Sequence, residues 1–293
     1  MKSALIRLHV AVFLWGFTGV LGRAISLNEG WLVWWRMCIT AVTLWVLFAL
    51  QGKIHKISFR DFLKIASIGF TLAVHWLLFY GSIKYSNVSI ALTCLATSGL
   101  LSALIEPIFF KKRINFFEVL LGLFALVGIG IIYFSNLHFS IGIYIGLLSA
   151  LFTVVVSILN KKIVKGYMPQ TITLYQLTGG FLGLSLLMPL YEWLFPSAVH
   201  MPQHMDWLWL IILSWCCTIL TFFLYIRALQ KISAFTMNLT LTLEPVYGVI
   251  LAFVLYHENE ALSNYFYIGF LLILSAVVLQ MITLMRKKDR VEL

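Results

Sequence analysis

The chain has 293 residues, of which 61% are hydrophobic and only 11% charged, with a mean hydropathy of +0.97. Soluble domains carry about 25% charge, so the composition excludes a water-soluble enzyme or regulator and defines an integral membrane protein. The net charge of +10 would point to nucleic acid in a soluble chain. Here the cations stand between apolar runs and no nucleic-acid partner is expected.

Apolar runs of roughly 20 residues cross ~30 Å of hydrocarbon as helices. They are predicted at 5–26, 31–50, 60–83, 88–110, 114–134, 141–161, 171–194, 207–229, 233–256 and 264–285. The first follows Lys2 but carries Trp15 and Arg23 and lacks a small-residue cleavage site, so it reads as a retained helix rather than a signal peptide. The second holds Arg36 about a turn and a half inside its end, where its partner is either a carboxylate or a substrate anion. Charges at such depth cost on the order of 3 kcal/mol or more unless paired or hydrated. The third carries His75, with Thr71 four residues earlier, and Tyr80. A membrane histidine of this kind is either a hydrogen-bonded packing group or a proton carrier.

The fourth run places Ser98, Ser102 and Glu106 at i, i+4, i+8, with Lys111 about a turn beyond Glu106. The sixth offers Ser149, Thr153, Ser157 and Asn160, and the seventh Tyr175, Gln176 and Thr178. These groups either wet a cavity or hold helices together. In the ninth, Glu244 precedes Pro245, whose missing N–H loosens the helix and frees a carbonyl. Met237, Thr240, Glu244, Tyr247 and Gly248 share a face there by helical spacing. Aromatic residues make up 15% of the chain. Trp15, Trp34, Trp76, Tyr80, Tyr175, Tyr225 and Tyr247 are candidates to line a cavity for amphipathic molecules, or to pack and anchor the helices. Cys38, Cys94, Cys216 and Cys217 all fall inside the runs, with neither disulfide nor metal spacing, and Asn87-Val88-Ser89 is a weak glycosylation sequon against the membrane. No Walker-type loop, His-rich motif or acidic pair suggests a cofactor, a metal or catalysis.

Of the 21 lysines and arginines, 18 fall in the loops of one side or beside them, from Lys2 and Arg7 to Lys288 and Arg290. Arg23, Arg36 and Lys84 are the exceptions. Positive charge marks the cytoplasmic side, so ten crossings with both termini cytoplasmic are predicted. Glu29, Glu192, Asp206, Glu258 and Glu260 fall in the opposite loops. Trp31, Trp34, Trp35, Trp193, Trp207 and Trp209 mark the outer headgroup level.

The stretch from Lys84 to Ser98-Gly99 aligns without a gap with that from Gln230 to Glu244-Pro245. The register pairs His75 with Thr221, Phe79 with Tyr225 and, nearly, Gly122 with Gly269. The chain thus divides into halves at 1–136 and 137–293. Five spans per half is an odd number, so the second half enters the membrane from the other side. The expected fold is all-α, with ten transmembrane helices in two inverted five-helix repeats. In such architectures two equivalent halves alternate access to one site near the midplane.

Leu14-Trp15-Gly16-Phe17-Thr18 with Gly22-Arg23, the Trp35-Arg36 start of the second span, and Ala234 to Glu244-Pro245 followed by His257-Glu258-Asn259 resemble the EamA family of the drug/metabolite transporter superfamily. The first half departs from that pattern, with Ser98-Gly99 in place of Glu-Pro, Glu106-Pro107 displaced by two turns, and a Lys111-Lys112-Arg113 turn. The resemblance implies a secondary transporter of a bacterial cytoplasmic (inner) membrane. It also implies a cavity formed by spans one, three, four, six, eight and nine, gated by two and seven, with Trp15, Arg36, His75, Tyr175 and Glu244 as working site residues. Tyr80 and Tyr247 join them as substrate-binding candidates, and Glu244 and His75 as proton-coupling candidates.

The leading expectation is alternating-access efflux of small amphipathic metabolites such as amino acids. Proton antiport and facilitated uniport are both compatible with the same residues. A flippase for a lipid-linked anionic substrate, or a facilitator for uptake, is the alternative. The expected partners are the small-molecule substrate and the lipid bilayer. Oligomeric state is left open, and a monomer satisfies the sequence.

Overall fold

The computed structural model describes residues 2–111, 116–164, 166–229, 241 and 243–289. Twelve α-helices are seen among them: α1 Lys2–Ala24, α2 Glu29–Leu50, α3 Phe59–Tyr85, α4 Val88–Ala96, α5 Ser98–Phe109, α6 Phe116–Ser135, α7 Ser140–Ile163, α8 Pro169–Leu194, α9 His204–Ser214, α10 Thr221–Leu229, α11 Leu243–Tyr256 and α12 Asn264–Asp289. No strand occurs among the described residues. Six helical stretches are long and apolar enough to cross a membrane, and Val119–Ser135, Leu243–Tyr256 and Asn264–Leu279 are shorter apolar helices.

The helices recover the ten expected runs, with two interruptions. The fourth breaks at Thr97, whose N–H and hydroxyl both bond to the Cys94 carbonyl at 3.1 and 2.6 Å, a tightened turn separating α4 from α5. The eighth passes from α9 to α10 through a π-helical stretch, Trp215–Leu220. Such bulges displace carbonyls and reorient side chains. The first residues of the fifth run, the Gln230–Thr240 segment with Met237 and Thr240, and Lys112, Arg113, Lys165, Lys231 and Arg290 lie outside the described residues.

The helix contacts pair up. With the apolar runs numbered one to ten, three packs on six as eight packs on one, three on seven as eight on two, and four on six as nine on one. Two with seven, four with nine and five with ten each map onto themselves under the same shift of five runs. Close backbone approach makes two of these contacts. A Cβ on Gly69 of α3 would overlap the Gln176 carbonyl of α8 and lie 2.8 Å from the Gly180 nitrogen. A Cβ on Gly128 of α6 would lie 2.8 Å from the Gly269 oxygen of α12. Small residues of this kind are how membrane helices gain packing without a hydrophobic drive between them.

Indole N–H groups tie α2 to α8: Trp34 to the Ser185 hydroxyl and Trp45 to the Thr178 hydroxyl, both at 2.9 Å, and Trp31 to Glu192 at 2.9 Å. Trp31 and Trp34, assigned from sequence to the headgroup belt, thus have helix partners as well. Glu106 pairs with Lys161 of α7, rather than with Lys111 just past the end of its own helix. Asn87 caps α4, its side-chain oxygen accepting from the Ile90 N–H at 2.9 Å, and the residue is buried.

Among the described residues, two that are not glycine have positive φ, Lys111 and His257, both at 52°. They occupy equivalent places in the repeat register that aligns Ser98 with Glu244. Side chains other than glycine are strained in that region. His257→Gly is therefore expected to stabilise the protein by about 0.5–1 kcal/mol, read as a higher thermal midpoint in detergent. A lower midpoint would mean that the imidazole makes a compensating contact.

Candidate functional site

The most unusual group in the bundle is Arg36 of α2, only 2% exposed. Its Nε and Nη2 both donate to the Thr218 hydroxyl at 3.0 and 2.9 Å, and Nη1 donates to the Tyr80 hydroxyl at 2.7 Å. The guanidinium carbon lies 3.7 Å from the centre of the Trp76 ring, a cation–π contact. Thr218 accepts both bonds because the π-helical stretch turns it inward, where its own hydroxyl donates to the Leu213 carbonyl five residues back at 2.9 Å. Trp76 and Tyr80, four residues apart on α3, supply the ring and the phenol from one helix face.

No carboxylate forms an ion pair with Arg36 among the described residues. The carboxylate that interacts electrostatically with both Arg36 and Tyr80 is Glu244, at the first turn of α11. Guanidinium groups carry five N–H donors, and only some of Arg36's are taken up by the two hydroxyls. Such a centre can hold an anionic group that approaches in the plane of the fork, with Trp76 closing one face.

The other residues named from sequence fall in separate places. Trp15 of α1 and Tyr247 of α11 border one apolar cluster built on Leu8 and Val12. The Trp15 ring is 5.5 Å from Tyr225, and Tyr247 is 5.6 Å from Phe13. Glu244 lies beside this wall, since α1 meets α11 where a Cβ on Gly16 would lie 3.2 Å from the Gly248 nitrogen and 3.5 Å from the Glu244 carbonyl. His75, one residue before Trp76, turns to α7 instead, with Nδ1 3.0 Å from the Ser149 carbonyl and 2.9 Å from both the Ser149 and Thr153 hydroxyls. Tyr175 stands apart, donating to the His55 carbonyl at 2.9 Å beside Trp45 and Phe62. The sequence signal missed Thr218, an ordinary hydroxyl until the π-helix aims it, and left Trp76 among many aromatics.

One end of the bundle is fastened by carboxylates. Glu258 is 3% exposed and accepts from the N–H groups of Val88 and Ser89 at 3.0 and 2.8 Å and from the Ser89 hydroxyl at 2.6 Å, capping α4 from the far side of the fold. It also pairs with Arg23, whose guanidinium lies 4.4 Å from the Tyr256 ring centre. Asp206 takes the Ser26 N–H and hydroxyl at 2.8 and 2.6 Å, just past α1. Glu192 takes Trp31, the Ser197 N–H and His200. Each of these bonds joins segments distant in the chain or closes a loop.

A polytopic helical bundle with a buried charge centre and one laced end is the plan of a membrane carrier. The sequence profile of the EamA-like transporter family matches residues 2–134 and again 140–282, so the chain belongs to that family and is a multi-pass membrane transporter. It is similar to an uncharacterized transporter of Haemophilus influenzae, 26% identical across 87% of this chain and 86% of the relative. It also resembles the uncharacterized transporter YxxF of Bacillus subtilis, 24% identical across 85% and 81% of the two chains. A crystal structure 15% identical in sequence aligns with a TM-score of 0.63 over 94% of this chain and 96% of its own, a likeness of fold.

Proposed function

We propose that the protein exports a small amphipathic metabolite, an amino acid or a related compound, across a bacterial cytoplasmic membrane by alternating access to the site around Arg36. The observation that carries this reading is the Arg36 guanidinium itself, buried against Trp76, Tyr80 and Thr218 with no ion pair among the described residues. Such a charge is expensive in a bilayer and is kept where an anionic group of the substrate can use it. The apolar part of the substrate rests on the aromatic wall of Trp15, Tyr225 and Tyr247.

Three observations support two inverted repeats at 1–136 and 137–293. The family profile matches twice, three pairs of helix contacts recur after a shift of five runs, and the two left-handed turns at Lys111 and His257 fall in one register. The placement of lysine and arginine supports a cytoplasmic position for both termini and the basic loops. The end fastened by Glu258, Asp206 and Glu192 then faces outward, and export requires those contacts to yield. Glu244, which acts on Arg36 through space, is the group whose protonation would couple release to a proton gradient.

Purified protein in proteoliposomes tests this. Saturable counterflow of a water-soluble amphipathic metabolite is expected, and Glu244→Gln should lower it at least about tenfold, the scale of one charge-assisted contact, while leaving the thermal midpoint intact. Unaltered flux in that variant removes Glu244 from the mechanism. Absence of counterflow with any soluble metabolite, together with scrambling of lipid probes, overturns the exporter reading in favour of a flippase.

A further inference from the structure

The carboxylate-fastened end also contains an open pocket of about 360 Å³ lined by Asn28, Glu29, Tyr85, Tyr191, Phe195 and Ser197, among others; Tyr85 and Phe195 on its rim are exposed. Glu29 and Arg36 are seven residues apart on α2, about 10 Å along its axis, so this cavity is separate from the central site.

Glu29 differs from the three carboxylates that fasten this end. Glu192, Asp206 and Glu258 are each occupied by three or more donors. Glu29 accepts one hydrogen bond among the described residues, from the Tyr191 hydroxyl to Oε1 at 2.9 Å, and forms no ion pair there. The neighbouring cation, Lys84, donates to the Ile25 carbonyl at 2.6 Å and acts on Glu29 only through space. The Tyr191 ring lies so close to Gly30 that a Cβ there would overlap it. Its neighbour Phe195 has its ring centre 5.3 Å away at 35°.

The oxygens present decide what the cavity can hold. The Asn28 side-chain oxygen is committed to the Trp31 N–H at 2.9 Å, and the Ser197 hydroxyl to the Val199 carbonyl at 3.1 Å. A divalent cation seeks about six oxygen ligands, and the lining does not offer them. One open carboxylate oxygen set among three aromatic rings matches a different guest, because an organic cation needs a single counter-charge and π-systems against its carbon shell. We infer that this cavity binds an organic ammonium group, with its charge on Glu29 and its carbon substituents against Tyr85, Tyr191 and Phe195. The ammonium can belong to a dissolved solute or to the headgroup of an ethanolamine lipid. The site stands whether or not the central site exports an amphipathic metabolite.

Calorimetric titration of the full-length protein with tetramethylammonium and with ethanolamine, in nanodiscs of phosphatidylglycerol, tests the inference. Saturable binding is expected, weakened at least about tenfold by Glu29→Gln. Tyr85→Ala leaves the Glu29–Tyr191 bond in place and should weaken tetramethylammonium about threefold to tenfold, so the inference stays testable if Glu29→Gln unfolds. Repeating the titration in phosphatidylethanolamine nanodiscs separates the sources. Loss of the soluble cations there assigns the site to the lipid headgroup, and equal binding in both assigns it to solutes. No saturable binding in phosphatidylglycerol, or binding unchanged in both variants, overturns the site.

Discussion

Glu258→Ala is expected to lower stability by about 3–5 kcal/mol, the cost of removing one partner from a buried ionic and hydrogen-bonded cluster, whereas Arg23→Ala should cost about 1 kcal/mol or less. The two residues form one ion pair, yet their surroundings differ. The Glu258 side chain is 2% exposed and that of Arg23 39%. Glu258 satisfies two otherwise open N–H groups at the start of α4 and the Ser89 hydroxyl. Without it those donors are buried and empty, and α4 loses its join to the turn after α11. Arg23 keeps its place over Tyr256 and its contact with water. Thermal unfolding of the two solubilised variants separates the roles. Equal losses would place the stabilisation in the ion pair, and a loss confined to Glu258→Ala would place it in the cap. Glu258→Gln keeps a carbonyl acceptor and should fall between them. If this end faces outward, the same variants should loosen its closure, seen as faster labelling of a cysteine placed at the buried Val88, whose bond to Glu258 is made by the backbone N–H, in the Gln variant.

Much of the architecture is legible in the chain because the bilayer leaves few options. Ten apolar runs, turn residues between them and a basic bias along alternate loops follow from span length and charge alone, and where the ends are described, outside the start of the ninth run, the helices begin and end within a few residues of the expected positions. What composition and spacing could not reveal is how a helix departs from ideal geometry. Thr218 reads as one of several hydroxyls in an apolar run, and only the π-helical turn at Trp215–Leu220 brings it under Arg36. His75 and Tyr175 carry the same kind of signal as Tyr80, but rotation about the helix axis sends His75 to α7 and position along α8 sends Tyr175 to the loop at His55. Glu258 appears as a loop acid because its three donors lie some 170 residues earlier in the chain, a distance over which spacing carries no information. The left-handed His257 was legible in part, since the turn it occupies belongs to the resemblance.

Arg36→Gln should abolish saturable counterflow while leaving the thermal midpoint unchanged or raised, and Arg36→Lys should fail to restore transport. Gln is uncharged and removes the cost of burying a cation, which often outweighs what the ion contributes to folding. Its amide can still meet the Tyr80 or Thr218 hydroxyl. Lysine keeps the charge but not the shape. The guanidinium reaches Thr218 through Nε and Nη2 and Tyr80 through Nη1 while its plane lies against Trp76. An ammonium is a compact, strongly hydrated point charge that cannot span both hydroxyls and offer a two-pronged edge to a carboxylate. We therefore expect Arg36→Lys to lose at least about thirtyfold in flux, equivalent to roughly 2 kcal/mol. Counterflow and thermal unfolding measured on the same preparations give the decisive comparison. A residue that only packs would make Arg36→Gln less stable and spare transport in proportion to the protein that folds, whereas a substrate-binding cation reverses that order. Near-normal flux in the Gln variant would confine Arg36 to bracing α2 against α3 and the π-helical turn.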